Sequence, residues 1–115
     1  MTSSIRESEF VTDTMGLVLR IERRRLGPGA KAIFDAVESG TATVYIPALV
    51  LAEILYLSEK QRISISLRAV TTHLEQFPNY KESPMSLAVI QSAAEITDVP
   101  ELHDRLIAGT ARSLK

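Results

Sequence analysis

The sequence predicts an α/β domain, a small parallel sheet with helices on its faces. Short β-branched and aromatic runs alternate with segments of helical apolar spacing, and Gly and Pro mark the breaks between them. The chain has 115 residues, 45% hydrophobic and 23% charged, with 5 Gly and 5 Pro, a composition expected of one globular domain over 1–115. A chain this long buries roughly two-thirds of its unfolded surface, enough for one core without staples.

Residues 1–9 read as a polar N-terminal tail. Phe10, Val11 and Thr12 form a brief strand ending at Asp13, and Met15, Leu17, Val18, Leu19 and Ile21 follow at helical spacing. Arg23-Arg24-Arg25 falls in the last turn of that helix, where cations complement the dipole. Gly27-Pro28-Gly29 breaks the chain before a helix over 30–39 that Gly40 closes. Thr43 to Ile46 is a second strand, and Pro47 suits the first turn of a helix reaching about Lys60. Ser66 caps a helix carrying Leu67, Val70, Leu74 and Phe77 on one stripe. Tyr80 to Ser83 is a weak third strand, and Pro84 and Ser86 introduce a helix through Ile96. Asp98, Pro100 and Glu101 mark the start of the last helix. Three strands serving six helices are few for a covered parallel sheet, and the alternation would next supply a strand beyond Lys115.

Several function classes fall away. The absence of Cys excludes disulfide frameworks, thiol catalysis, zinc ribbons and iron–sulfur clusters, and fits a reducing cytoplasm. A formal net charge of −1 argues against a sequence-blind grip on nucleic acid, while leaving room for a local basic patch. Aromatics at 5% argue against a base-stacking sheet. No signal peptide or membrane span is legible, so a soluble, intracellular protein is expected. Gly27 to Ala32 satisfies a dinucleotide pattern, but no strand precedes it, so it is a turn.

Three acids stand in apolar company. Glu53 has Leu49, Val50, Tyr56 and Leu57 as helix neighbours, in a segment expected to be buried nearly all round. Such a carboxylate must be neutral, paired or bound to a cation. Asp104 shares a face with Ile107, Ala108 and Ala111, and Asp13 closes a strand at the end where open α/β sheets bind ligands. Oxygen donors from three segments suit Mg²⁺ or Mn²⁺, which can neutralise charge at a phosphodiester. Each acid also has a plainer account. Asp13 could cap its helix, Asp104 could complement a helix dipole, and Glu53 could pair with Arg20 or Arg105. His73 and His103 have no metal-ligand spacing, and His103 is expected only to flank Asp104.

Phe10-Val11-Thr12-Asp13-Thr14, then Ile46-Pro47-Ala48-Leu49-Val50-Leu51-Ala52-Glu53-Ile54, then Leu102-His103-Asp104-Arg105-Leu106-Ile107-Ala108-Gly109-Thr110-Ala111, resemble the PIN domain. Within it, they are similar to the VapC-type toxins of toxin–antitoxin pairs. The resemblance runs from about residue 10 to the end, and order, spacing and context match in all three blocks. It implies a three-layer α/β/α fold and a metal-dependent endoribonuclease whose Asp13, Glu53 and Asp104 are the catalytic acids and hold Mg²⁺ or Mn²⁺. It further implies that Thr14 helps order the site, that the substrate is structured RNA, and that the partners are a cognate antitoxin and a second copy of the chain. Arg20, Arg23, Arg24, Arg25 and Arg105 are the candidates for phosphate contacts.

PIN domains continue into a further strand beside the first, bearing a fourth acidic group, and this sequence stops before it. The expectation is an exposed edge next to Asp13, weaker metal binding, and a sheet that is marginal or completed by another chain. The alternative function is a catalytically inactive PIN-like module that binds an antitoxin or dimerises.

Overall fold

A computed structural model describes residues 2–115 as four strands and six helices. They are β1 (Thr2–Arg6), β2 (Glu9–Thr12), α1 (Thr14–Ile21), α2 (Pro28–Ser39), β3 (Thr43–Pro47) and α3 (Ala48–Glu59). There follow α4 (Leu67–Glu75), β4 (Tyr80–Ser83), α5 (Leu87–Ala94) and α6 (Leu102–Ser113). The sheet order is β1-β2-β3-β4, with β2, β3 and β4 parallel and β1 antiparallel to β2.

The small parallel sheet is therefore present, and β1 makes it mixed. This corrects the expected tail: Thr2–Arg6 forms a strand, while Met1 lies outside the described residues. Thr2 pairs with Thr12 and Arg6 with Glu9, with a register shift between Ser4 and Arg6. The Arg6–Glu9 ion pair (3.0 Å) clips the turn, and Ile5 is buried. The edge of β2 beside Asp13, expected to be bare, is covered by β1. With Ile5 its only aliphatic residue, β1 shows no alternating pattern of its own, and its pairing to β2 decides the structure.

Side chains alternate across the sheet. Phe10, Val44, Ile46 and Tyr80 face a main core with Leu17 and Val18 of α1, Phe34 and Val37 of α2, Val50 and Ile54 of α3, and Val70 of α4. On the opposite face Ile5 and Val11 meet Ala111 of α6, with Tyr45, Ile107 and Leu114 packed around them. Helices thus cover both faces, but unequally, because α5 packs chiefly on α6. Among the described residues no helix is long and apolar enough to cross a membrane.

Helices α1, α2 and α3 end in the same double hydrogen bond. Arg24 N–H donates to Leu19 C=O (2.9 Å) and Arg23 N–H to Arg20 C=O (3.1 Å). Thr41 and Gly40 repeat this at the end of α2, and Arg62 and Gln61 at the end of α3. The motif puts one residue in the left-handed region, where glycine is favoured. Gly40 (φ 90°) meets that preference, whereas Arg23 (φ 57°) and Gln61 (φ 55°) do not, at a cost of roughly 1–2 kcal/mol each.

Candidate functional site

Asp13 leaves β2 with extended backbone and caps α1, its Oδ1 accepting from Gly16 N–H at 2.8 Å. That bond fixes the carboxylate at the carboxyl end of β2 while leaving its second oxygen free of it. Thr14 follows, only 6% exposed, and its Oγ1 is buried with no hydrogen-bond partner. Glu53 projects from the middle of α3, which packs on α1. Glu101 caps α6, its Oε2 accepting from Asp104 N–H at 3.0 Å. The Asp104 and His103 amides hold the Glu101 carboxyl below the usual glutamate range.

These residues share one cleft of about 200 Å³, lined by Asp13, Thr14, Glu53, Glu101, His103 and Asp104 and flanked by Met15 and Ile107. The three acids singled out in the sequence thus meet in one place, and the start of α6 adds two neighbours that sequence reasoning assigned to capping and flanking. Four carboxylates and no lysine or arginine line it. The field there is negative in a chain that carries 13 basic side chains elsewhere.

Burial differs from expectation. Asp104 is exposed and Glu53 half-buried, because only Val50 and Ile54 of α3 are fully covered, while Leu55 (44%) and Tyr56 (52%) face solvent. The acids border the core rather than lying inside it. Among the described residues Glu53 has no ion-pair partner.

The donor chemistry fits a hard cation: carboxylate oxygens, an unpartnered hydroxyl and no thiolate. Among the described residues no three carboxylate, imidazole or thiol groups converge closely enough to hold a metal ion directly. Such a cleft suits an ion held by one or two carboxylates that retains much of its water, as Mg²⁺ commonly does.

The arginines lie elsewhere. Arg20 is tied to Glu38 through Nε and Nη2, both at 3.0 Å, and to Asp35 at 2.8 Å. Hydrogen bonding to Glu38 raises its already high pKa. His73 Nε2 (3.2 Å) and the Tyr80 hydroxyl also reach Glu38. Burial alone would raise the Glu38 pKa, but bonds from Arg20, Tyr80 and His73 outweigh it and hold the carboxyl below its ordinary value. Burial, then the bond to Glu38, pushes the Tyr80 phenol well above its own. Arg105 donates from Nη2 to Ala93 C=O (3.0 Å), tying α6 to α5.

Arg23, Arg24 and Arg25 stand at the far end of α1 from Asp13. They border a second, larger cleft of about 710 Å³ with Lys31, His73 and Phe77. Eight helical residues separate the two clefts by roughly 12 Å. Cations at a helix C-terminus typically gain about 0.3–1 kcal/mol from the dipole, less than the left-handed backbone of Arg23 costs. Moreover α1 ends at Ile21 with Arg20 alone of the arginines in its last turn, so Arg23–Arg25 lie past the helix rather than in its last turn as expected, and the dipole does not account for the run. Compared with models of protein families, with curated proteins and with solved structures, the chain finds no match.

Proposed function

We propose that this chain is a metal-dependent endoribonuclease of the PIN type, hydrolysing RNA phosphodiester bonds at the acidic cleft. The observation that carries the reading is the meeting of Asp13, Glu53 and Asp104, from three separate segments, beside the unpartnered Thr14 hydroxyl. The resemblance of the same three segments to PIN domains supplies the reaction class, and RNA as substrate.

A Mg²⁺ or Mn²⁺ ion, if held there, would supply charge neutralisation at the scissile phosphate. Asp13 is held by Gly16 N–H, and its other oxygen would be available to such an ion. Glu53 and Asp104, which line the same cleft from α3 and α6, would share in holding it, and the Thr14 hydroxyl, which has no partner, would help order the site. In the overall reaction, water oxygen forms a new bond to phosphorus, the bridging P–O bond breaks, and the water protons pass to leaving oxygen and solvent. On this reading the protein is cytoplasmic, its partners are an antitoxin and a second copy, and Asp13, Glu53 and Asp104 are catalytic residues.

A second reading is a non-catalytic binding module. The lack of direct three-group convergence favours it, as do the solvent-facing Leu55, Tyr56, Leu87 and Ile90. Incubating a structured RNA pool with the purified chain plus Mn²⁺, plus EDTA, and with Asp13→Asn separates the two. The nuclease reading expects metal-dependent cleavage that the variant loses. No cleavage, or cleavage that survives in the variant, favours the module.

A further inference from the structure

The larger cleft has no part in the acidic chemistry, and its construction is specific. Arg23 and Arg25 are exposed and, among the described residues, pair with no acid, whereas Arg24 and Lys31 meet Glu22 (3.3 Å) and Asp35 (2.8 Å). The turn that bears them is anchored. Glu22 accepts from Ser64 N–H (2.8 Å) and Ser64 Oγ (2.7 Å), pinning the end of α1 to the loop after α3. A smaller cleft of about 320 Å³ adjoins through Arg24 and adds Arg62. Arg23 and Gln61, which among the described residues are the non-glycine ones with left-handed backbone, border these two clefts. Arginine thus occupies a position where glycine would be easier, and strained positions of this kind cluster at binding sites. His73 and Phe77, with ring centroids 5.2 Å apart, stand among the cations.

We propose that this basic cleft is a second binding site, taking the phosphate backbone and an unstacked base of a single-stranded polynucleotide. Guanidinium groups recognise phosphates and the aromatic wall offers a stacking surface, the combination by which proteins hold single strands. At about 710 Å³ the cleft falls within the size range of sites that take a small organic group such as a nucleotide. The identity of the polymer as RNA rests on the ribonuclease reading. Arg23 and Arg25 are the principal phosphate contacts, while Arg20, held by Glu38 and Asp35, shapes the cleft wall.

The test is fluorescence anisotropy with a labelled single-stranded RNA of mixed sequence, in EDTA, over a salt series. A matched DNA strand and polyglutamate serve as competitors. Each phosphate contact on a single strand contributes about 0.7 to the slope of log affinity against log salt, so Arg23→Gln/Arg25→Gln should lower the slope by about 1.4. At about 100 mM salt the same variant should bind at least ~10-fold more weakly. Arg23→Gly should melt higher than the parent and yet bind RNA more weakly, a combination that a purely structural arginine does not produce. Unchanged slope and affinity in the double variant overturn the proposal, as does polyglutamate competing better than either nucleic acid. DNA competing as well as RNA supports the site while removing the preference for RNA. If cleavage is never seen but arginine-dependent binding in EDTA persists, the nuclease reading falls and this one stands.

Discussion

Replacing Gly109 by alanine should destabilise the protein, although alanine is the better helix former. Gly109 lies within α6, where α5 crosses it. A Cβ built there would lie 2.9 Å from Ala93 N, 2.9 Å from Val89 O and 3.0 Å from Ala93 Cβ. Two of the three are backbone atoms of α5, which cannot swing aside, so the helices must part by about half an ångström to reach ordinary contact. Overpacking of this kind costs typically 1–3 kcal/mol, and two backbone clashes put Gly109→Ala at about 3. The gain in helix propensity is about 1 kcal/mol, leaving a net loss of about 2. At ~2.1 cal/mol/K per residue, unfolding this chain carries about 0.24 kcal/mol/K of entropy, so the melting temperature should fall by about 8 °C. The assay is thermal unfolding followed by circular dichroism, with urea unfolding to confirm that the midpoint moves and the slope does not. Gly29→Ala, early in α2 with nothing within 4 Å of its Cβ, is the opposite control and should stabilise by up to about 1 kcal/mol. A Gly109→Ala protein as stable as the parent would refute the close-packed seam.

Other outcomes follow from single side chains. Thr14→Val should stabilise the protein by about 1 kcal/mol in EDTA, because it removes a buried hydroxyl with no partner, and should shrink the melting-temperature rise on adding Mn²⁺. Glu38→Gln should cost about 2 kcal/mol at neutral pH, since three side chains donate to that carboxylate. Because folding lowers the Glu38 pKa, its contribution is complete above the ordinary glutamate value of 4.5 and drains as pH falls through the lower folded value. The stability difference between parent and Glu38→Gln should therefore narrow in acid, as urea midpoints across pH would reveal. Gln61→Gly should raise stability by about 1 kcal/mol by relieving a left-handed φ of 55°, measurable in the same urea series.

The helices were legible because their signals are local. Asp13, Ser66, Ser86 and Glu101 each accept a backbone N–H at the start of the helix they precede, and Gly40 closes α2. Strands β2, β3 and β4 were legible from their residue types, whereas β1 was not. Its place depends on hydrogen bonds to β2, and its buried side chain, Ile5, leaves no period to read. That Asp13, Glu53 and Asp104 border one cleft was legible from their apolar neighbourhoods, whereas among the described residues they do not converge closely on one ion, and their burial was overstated. Apolar residues all round α3 suggested a fully enclosed helix, yet the sheet and its neighbours cover only one side of it. The separation of Arg23–Arg25 from the acids was legible too: Asp13 caps α1 and the arginines follow its last residue, so one helix length at about 1.5 Å per residue stands between them.

The two walls of the acidic cleft are anchored with very different strength. Asp13 and Glu53 ride on α1 and α3, whose Leu17, Val18, Val50 and Ile54 belong to the main core. Glu101, His103 and Asp104 ride on or cap α6, which is secured to the sheet around a small cluster of three buried side chains, Ile5, Val11 and Ala111, of which only Val11 is wholly inaccessible. Regions with few buried apolar contacts open at lower free energy than the whole molecule. The α5–α6 pair should therefore breathe as a unit, its amides exchanging with solvent well before those of α1 and β3. The cleft would then be assembled and dismantled by the swing of one wall, with the other standing still.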